Sequence, residues 1–476
     1  MPWPFVILIV CVAAVVAMIS WLRLHAFIAL VLAAFLAGFM TEAFKPEQLA
    51  KLSGAVQADA KVSKLVAAVE LTSLEFGNAA ASFAISVGLA SILGLCLMES
   101  GAADKVVRRF LAVFGEKRAA LALLASTYLL SIPMFFNTVF MLMVPLARVL
   151  YVRTGRDYLL YLMCICCSGV ITHSLTVPHP GPLFMVNNLH LDAGASLIWG
   201  IVGGLVPCLL GYFTARWINA RHPVPVRETP GAALDDLQSI SNRSEADLPG
   251  FLPSVAPILV PVFLITVASL AKMKYPDPAD VSTWARMATF LGHKDIALFL
   301  GTVLAFWVLA RARKLSFRAA EKLMGPPIET AGTIILITAA GGAFGGMLRH
   351  AGVGEAIKAA ADGRAVNLIF FGWAVAAVLR IAQGSATVAM LTTSSIIAPM
   401  VVGTALPYHP MYLFLSVGFG AFCCSWMNDS GFWVVSRLGG LTERETLQSW
   451  TLLLTLTSIF GLLFTLAAAT LLPLKP

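Results

Sequence analysis

Long apolar runs separated by short polar clusters make up most of this chain. Many runs extend for 18 residues or more with almost no charge, which is enough for a helix to cross the hydrocarbon core of a bilayer. The pattern therefore predicts an all-α integral membrane protein. Its predicted spans lie near residues 4–22, 25–43, 78–98, 157–188, 192–215, 253–271, 295–312, 327–348, 409–435 and 446–472. Residues 44–77 are predicted to form a surface loop with a short amphipathic helix.

Two further apolar segments, 119–148 and 365–401, are too short to hold two full spans each. Lys and Arg residues stand on both sides of the first segment. Because these residues concentrate in cytoplasmic loops, we expect the segment to enter and leave the membrane on one side, as a re-entrant hairpin turning near 133–137. By position, 365–401 is predicted to be its partner from the other face, turning near 383–387. The alternative is two ordinary spans in each segment.

Two of the predicted spans are interrupted by polar clusters rich in Gly and Pro. These clusters are THSLTVPHPGP at 172–182 and SWMNDSGFW at 425–433. Within a bilayer, backbone leaves helical hydrogen bonding only where it is buried in protein or lines a cavity. Broken spans at corresponding positions in two halves are typical of the binding site of a secondary transporter.

The polar stretch 217–252 is predicted to be a cytoplasmic linker between a first membrane repeat, 1–216, and a second, 253–476. An internal repeat supports this division, because Ile92–Val107 aligns with Ala343–Lys358. The alignment pairs Gly94 with Gly345 and Gly101 with Gly352. With about five spans and one hairpin in each repeat, the two repeats are expected to have inverted orientations, with both termini outside.

Composition narrows the range of functions. Charged residues are only 12% of the chain, and we assign the net charge of +8 to cytoplasmic loops, not to a nucleic-acid surface. The eight cysteines lie in apolar spans without partners at metal-ligand spacing, so neither a metal nor another cofactor is expected. An enzyme is not expected either, and the missing G-x-x-x-x-G-K-[ST] motif argues against direct use of ATP.

Polar side chains within the bilayer are costly, and they usually face a cavity or a partner. In this chain they cluster at the two hairpin tips and the two breaks. The candidate substrate-binding residues are Asn137, Thr138, Thr172, His173, His179, Gly181, Arg380, Gly384, Ser385, Thr387 and Asn428. The candidate ion-coupling residues are Asp429 and His179.

The chemistry of these candidates suits a small polyhydroxy anion. Amide and hydroxyl groups bind sugar-type hydroxyls, the guanidinium of Arg380 matches a carboxylate, and Gly181 and Gly384 would let backbone approach a ligand. Structural alternatives stay open for several of them. Arg380 could be an anchor that pairs with Asp429 or with hairpin carbonyls, His179 could fix the broken helix, and Asn428 could act as a helix cap.

Several motifs extend over almost the whole chain: ESGAADKV, FFNTVFMLMVPLA, THSLTVPHPGP, RIAQGSATVAM and MNDSGFWVVSRLGGLTERETLQSWT. In this order they resemble the gluconate permease family within the ion-transporter superfamily. The resemblance implies proton-coupled uptake of gluconate-like sugar acids, or of related small hydroxy acids and amino acids, across a bacterial inner membrane. The superfamily implies paired inverted repeats with hairpins, an elevator-type motion and, often, a homodimer.

The chain departs from the family pattern at the first hairpin. The family usually has an acid where this chain has Asn137, which cannot titrate. If transport is proton-driven, Asp429 or one of the histidines His173 and His179 is the remaining titratable group. The alternative functions are an ion-coupled transporter of another small carboxylate or of an amino acid such as D-serine, and an ion-only exchanger of the same superfamily.

Overall fold

The computed structural model describes residues 3–49, 52, 62–227, 248–275, 282–353, 356, 367–401, 406–427 and 429–474. Helices dominate these residues, as the apolar pattern predicts. In chain order they are α1 (Trp3–Ser20), α2 (Ala26–Met40), α3 (Pro46–Leu49), α4 (Val62–Glu99), α5 (Ala102–Phe114), α6 (Ala119–Leu130), α7 (Phe136–Thr154), α8 (Tyr158–Leu175), α9 (Pro180–Asn188), α10 (Ala193–Arg221), α11 (Phe251–Lys274), α12 (Thr283–Leu291), α13 (Lys294–Arg313), α14 (Phe317–Lys322), α15 (Gly325–His350), α16 (Leu368–Gln383), α17 (Ala386–Val401), α18 (Met411–Gly420), α19 (Ser430–Gly439), α20 (Glu443–Thr446) and α21 (Leu452–Leu471). A π-helix, Leu447–Thr451, joins α20 to α21.

Fewer helices have the length of a full span than the sequence predicts. In the described part of the chain, six stretches are long and apolar enough to cross a membrane: 158–188, 193–221, 251–272, 294–313, 325–350 and 443–471. A seventh is the pair 64–81 and 83–99, which is bent by 43°. The predicted span at 25–43 is α2, whose 15 residues rise only about 22 Å. The all-helical membrane fold is thus confirmed, whereas several of its helices are shorter than spans.

The prediction of a surface loop at 44–77 is wrong for its second half, because α4 begins at Val62. One face of this extension is buried, at Ala67, Ala68 and Leu71, and α4 packs there against α2 and α15. Charged residues such as Glu75 lower the average hydropathy of the segment and hide this apolar face. In the fold, Glu75 is held by His350, whose Nε2 lies 3.0 Å from its carboxylate.

The first helix break lies within the polar cluster predicted at 172–182, and the second overlaps the cluster predicted at 425–433 but begins four residues earlier. The first, 176–179, separates α8 from α9, and the second, 421–429, separates α18 from α19. At the first break the prolines at 178, 180 and 182 cannot donate the backbone hydrogen bonds that would continue α8. Pro180 instead occupies the first turn of α9, where a missing N–H costs nothing.

Among the described residues, some elements before these breaks follow a similar order in the two halves. α4 and α15 correspond, and the aligned Gly101 and Gly352 that follow them have φ of +75° and +73°. Further along, each half contains a pair of helices joined by a short turn: the first helical pair, α6 and α7, which follows α5, and the second helical pair, α16 and α17. Their re-entrant course, the inverted orientation of the halves and the cytoplasmic position of the linker stay predictions.

Candidate functional site

The turn of the first helical pair presents two predicted site residues. α7 begins at Phe136, directly after the turn, so Asn137 and Thr138 lie in its first turn. Phe135, at the N-cap position, provides no side-chain cap. The described residues provide no side-chain acceptor for the backbone N–H groups at the start of α7, so these groups can donate to a ligand.

The turn of the second helical pair is held by two hydrogen bonds that involve side chains. Gly384 ends α16, and its carbonyl accepts a hydrogen bond from Nη1 of Arg380. The hydroxyl of Ser385 accepts from the backbone N–H of Val388 at 3.3 Å, which caps the start of α17. Thr387 follows in the first turn of that helix.

Arg380 and Asp429 form a buried ion pair that joins this turn to the second break. Their side chains are only 4% and 10% exposed, so solvent screens the pair little. Asp429 also accepts hydrogen bonds from the Ser425 hydroxyl and, at 2.9 Å, from the N–H of Gly431, which makes it the N-cap of α19. The structure thus shows the anchor contacts considered for Arg380, both to Asp429 and to the carbonyl of Gly384 in the turn.

A cavity of about 340 Å³ lies between the two turns and the two breaks. This volume is in the range that small-molecule sites occupy. Eight of the predicted site residues line it: Asn137, Thr138, His173, Arg380, Gly384, Ser385, Thr387 and Asp429. Asn428 lies outside the described residues.

Four helices begin at the wall of this cavity: α7, α9, α17 and α19. Their first residues line it, among them Phe136, Pro180, Ala386 and Ser430. Each N-terminus carries a partial positive charge, and together they favour an anion. The charged residues among the described lining, Arg380 and Asp429, compensate each other. The helix ends therefore give the cavity a positive bias.

Three predicted substrate-binding residues do not line the cavity. Thr172 is fully buried and donates to the carbonyl of Tyr128 at 3.3 Å. His179 is 2% exposed, with its Nε2 2.7 Å from the carbonyl of Ser131. Gly181 faces α17, where a Cβ atom would lie 2.3 Å from the Cε of Met390. Each of these residues contacts neighbouring protein beside the break, and their contact with a substrate stays a prediction.

His173 is the histidine that lines the cavity. Its ring lies 4.4 Å from that of His179, and Phe135 packs against both rings. Within the described residues, the Nδ1 atom of His173 is buried and has no hydrogen-bond partner. His173 thus lines the cavity with a ring whose Nδ1 atom receives no hydrogen bond from the described residues.

The sequence analysis missed several residues of the wall. Thr330 and Ile334 come from α15, and Trp450 comes from the π-helix. Ser425 lies behind the wall, where it links Trp450 to Asp429. Ser425 belongs to the polar break, so its motif was visible, but no periodicity in the sequence indicates which side of the last span faces the cavity.

A helical membrane protein whose paired helix breaks surround a polar cavity is a transporter by its architecture. The comparison with known families agrees: the profile of the GntP family permeases matches residues 3–472. The chain belongs to this family and is therefore a permease. It is a multi-pass protein of the bacterial inner membrane, since its relatives include an inner membrane permease of Escherichia coli that is 31% identical over 393 residues.

Other relatives match along nearly their full length. A gluconate permease of Pseudomonas aeruginosa is 30% identical over 464 residues, with 96% of each chain covered. The Gnt-II system L-idonate transporter of Escherichia coli is 28% identical, with 98% of each chain covered. Among solved structures, the YdaH transporter of Alcanivorax borkumensis superposes with a TM-score of 0.64 at 13% identity, over 95% of this chain and 98% of that one. That likeness concerns the fold alone.

Proposed function

We propose that this permease imports gluconate or a related small hydroxy acid, and that a proton drives the import. The substrate would occupy the cavity between the two helical turns and the two breaks. The re-entrant hairpins, the inverted repeats and a homodimer, which the family resemblance implies, belong to the same proposal.

The convergence of four helix N-termini on one polar cavity is the observation that carries this proposal. A carboxylate placed there would accept from backbone N–H groups at the start of α7, for which the described part of the chain provides no side-chain cap. The pyrrolidine rings of Pro180 and Pro182 remove two donors from α9. We therefore expect the carboxylate to lie nearer α7 than α9.

Hydroxyl groups of the substrate have their own partners around the cavity. Asn137, Thr138 and Thr387 present amide and hydroxyl groups to it, which can both donate and accept. The relatives named for gluconate and L-idonate transport support a sugar acid, since these names denote polyhydroxy acids. Another small carboxylate, or D-serine, is the alternative substrate.

Proton coupling needs a titratable group in the cavity wall, because Asn137 stands where the family has an acid. Asp429 is occupied by three donors, Arg380, Ser425 and Gly431, whereas the Nδ1 atom of His173 has no partner among the described residues. A proton on His173 would attract the substrate anion in the same cavity, and each would strengthen the binding of the other. We therefore prefer His173 to Asp429 and to His179 as the proton carrier.

Proteoliposomes with imposed gradients test substrate and coupling together. We expect labelled gluconate to accumulate under an inward proton gradient, unlabelled L-idonate to compete, and D-serine and a sodium gradient to have no effect. His173→Gln should abolish accumulation while retaining exchange, whereas His222→Gln, at an exposed position after α10, should behave like the wild type. Accumulation of D-serine alone would refute the proposed substrate, and accumulation by His173→Gln would refute the proposed carrier.

Asn137→Asp restores the acid that the family has at this place. Its side chain is exposed in the cavity, so an ionised carboxylate would repel a bound anion, whereas a protonated one would not. We expect the KM for gluconate to stay near the wild-type value at about pH 5 and to rise several-fold towards pH 8. Asn187→Asp, at an exposed position near the end of α9, is the matched control. A KM with the same pH profile in both variants would contradict the placement of Asn137 in the site.

A further inference from the structure

Trp450 is the largest side chain that the structure buries almost completely near the cavity. It is 1% exposed, and it belongs to the π-helix at the start of the last span. Such π-turns are rare and are often found at functional sites. The turn directs both Trp450 and Thr451 to the same residue of the second break, because each donates a hydrogen bond to Ser425.

On one side, Trp450 connects to the buried ion pair through hydrogen bonds alone. Its Nε1–H donates to the Ser425 hydroxyl at 2.8 Å, and that hydroxyl donates to the carboxylate of Asp429. Asp429 pairs with Arg380, which donates to the carbonyl of Gly384. This series of bonds runs from the last span to the turn of the second helical pair.

On the other side, Trp450 packs against the turn of the first helical pair. Its ring centroid lies 5.3 Å from that of Phe136, with an interplanar angle of 36°. Phe136 is the first residue of α7 and directly precedes Asn137. Trp450 thus contacts the first helical pair directly, is linked to the second turn through Ser425, Asp429 and Arg380, and lines the cavity between the two turns.

We propose that Trp450 is a positioning residue of the transport site. It acts through Ser425 and holds the Arg380–Asp429 pair in a fixed position relative to the first helical pair. The proposal rests on the proposed function for its substrate. The ring fills the space beside Phe136, and the Nε1–H fixes the direction of the Ser425 hydroxyl. When the Nε1–H is removed, the hydroxyl is free to turn, and the carboxylate of Asp429 loses the donor that orients it towards Arg380.

A double-mutant cycle tests this action through Ser425. Trp450→Phe keeps an aromatic ring beside Phe136 and removes the donor, and Ser425→Ala removes the hydroxyl that receives it. Each is expected to raise the KM for gluconate by about 2-fold to 12-fold, the equivalent of one hydrogen bond, with little change in Vmax. The double variant should resemble the single variants, because the two changes disrupt the same contact. Effects that multiply would overturn the proposal.

A second Trp–Ser bond, which joins α16 to the last span, is the control. Trp373 donates to the hydroxyl of Ser458 at 2.9 Å, and neither residue lines the cavity. Trp373→Phe loses an equivalent bond, so it should lower stability to a similar extent and leave the KM unchanged. An equal rise in KM for Trp373→Phe would show that Trp450 acts on stability only, and it would overturn the proposal.

A measurement without substrate separates this proposal from the proposed function. Ser430 is exposed at the start of α19, so Ser430→Cys, in a Cys424→Ser background, can be labelled by a thiol reagent. Trp450→Phe and Ser425→Ala should each change the labelling rate to a similar extent, and Trp373→Phe should not. If the wild type carries no sugar acid, the proposed function fails while this result still decides the role of Trp450. An unchanged rate in both site variants would overturn that role.

Discussion

Asp429→Ala is expected to abolish transport and to destabilise the protein by roughly 3–5 kcal/mol, because it leaves the buried guanidinium of Arg380 without its counter-ion. The substitution also removes the N-cap of α19, which adds about 1 kcal/mol. Thermal unfolding of the purified protein in detergent measures the loss of stability, and uptake into proteoliposomes measures the loss of transport.

The companion variants separate charge from capping. Asp429→Asn can still cap α19 but leaves Arg380 unpaired, whereas the double variant Arg380→Met with Asp429→Asn removes both charges. We expect the double variant to regain much of the lost stability without regaining transport. If Asp429 carried the coupling proton instead, Asp429→Asn would lose accumulation but retain exchange and a wild-type unfolding temperature. That outcome would contradict the structural role assigned here.

Gly200→Ala is expected to lower the unfolding temperature strongly, since the added Cβ would lie 1.9 Å from the carbonyl oxygen of Leu175. Both atoms belong to rigid parts of the fold: Gly200 lies within α10, and Leu175 is the last residue of α8 before the first break. The clash must therefore move backbone, at a cost of about 1–3 kcal/mol or more. A shift of Leu175 would also displace His173, two residues earlier in α8, so uptake should fall as well.

Gly332→Ala is the matched control for this substitution. It also lies within a long helix, α15, but a Cβ atom there would meet nothing within 4 Å. Alanine favours a helix over glycine by about 0.5–1 kcal/mol, so we expect an unchanged or slightly raised unfolding temperature. Equal losses of stability in the two variants would contradict this explanation, in which glycine is required at Gly200 because α10 closely approaches the first break.

The sequence determined the membrane fold, the family and the position of both breaks. These features follow from local chemistry: apolar runs are driven into the bilayer, and prolines such as Pro180 end helical hydrogen bonding wherever they occur. It also indicated the turns of the two helical pairs, because polar residues such as Asn137 and Ser385 are costly in apolar segments. Eight residues of the cavity wall could therefore be predicted without coordinates.

Tertiary structure decided which polar groups face the cavity and which face protein. Thr172, His179 and Gly181 belong to the same motif as His173, but they point to Tyr128, Ser131 and Met390. The side that each residue presents depends on how α8 and α9 pack, which a motif does not encode. The packing also buried the face of α4 at Ala67 and Ala68, which the charged residues around it conceal in the sequence.

Contacts between residues that are far apart in the sequence could be determined only by the fold. Arg380 and Asp429 are both visible as charges in apolar segments, yet their pairing depends on the approach of α16 to the second break. Trp450 had no signal of its own, since an aromatic residue in an apolar span is usually buried in the core. A π-turn and the neighbouring Ser425 give it a place at the site, and both depend on how the last span packs against the rest of the protein.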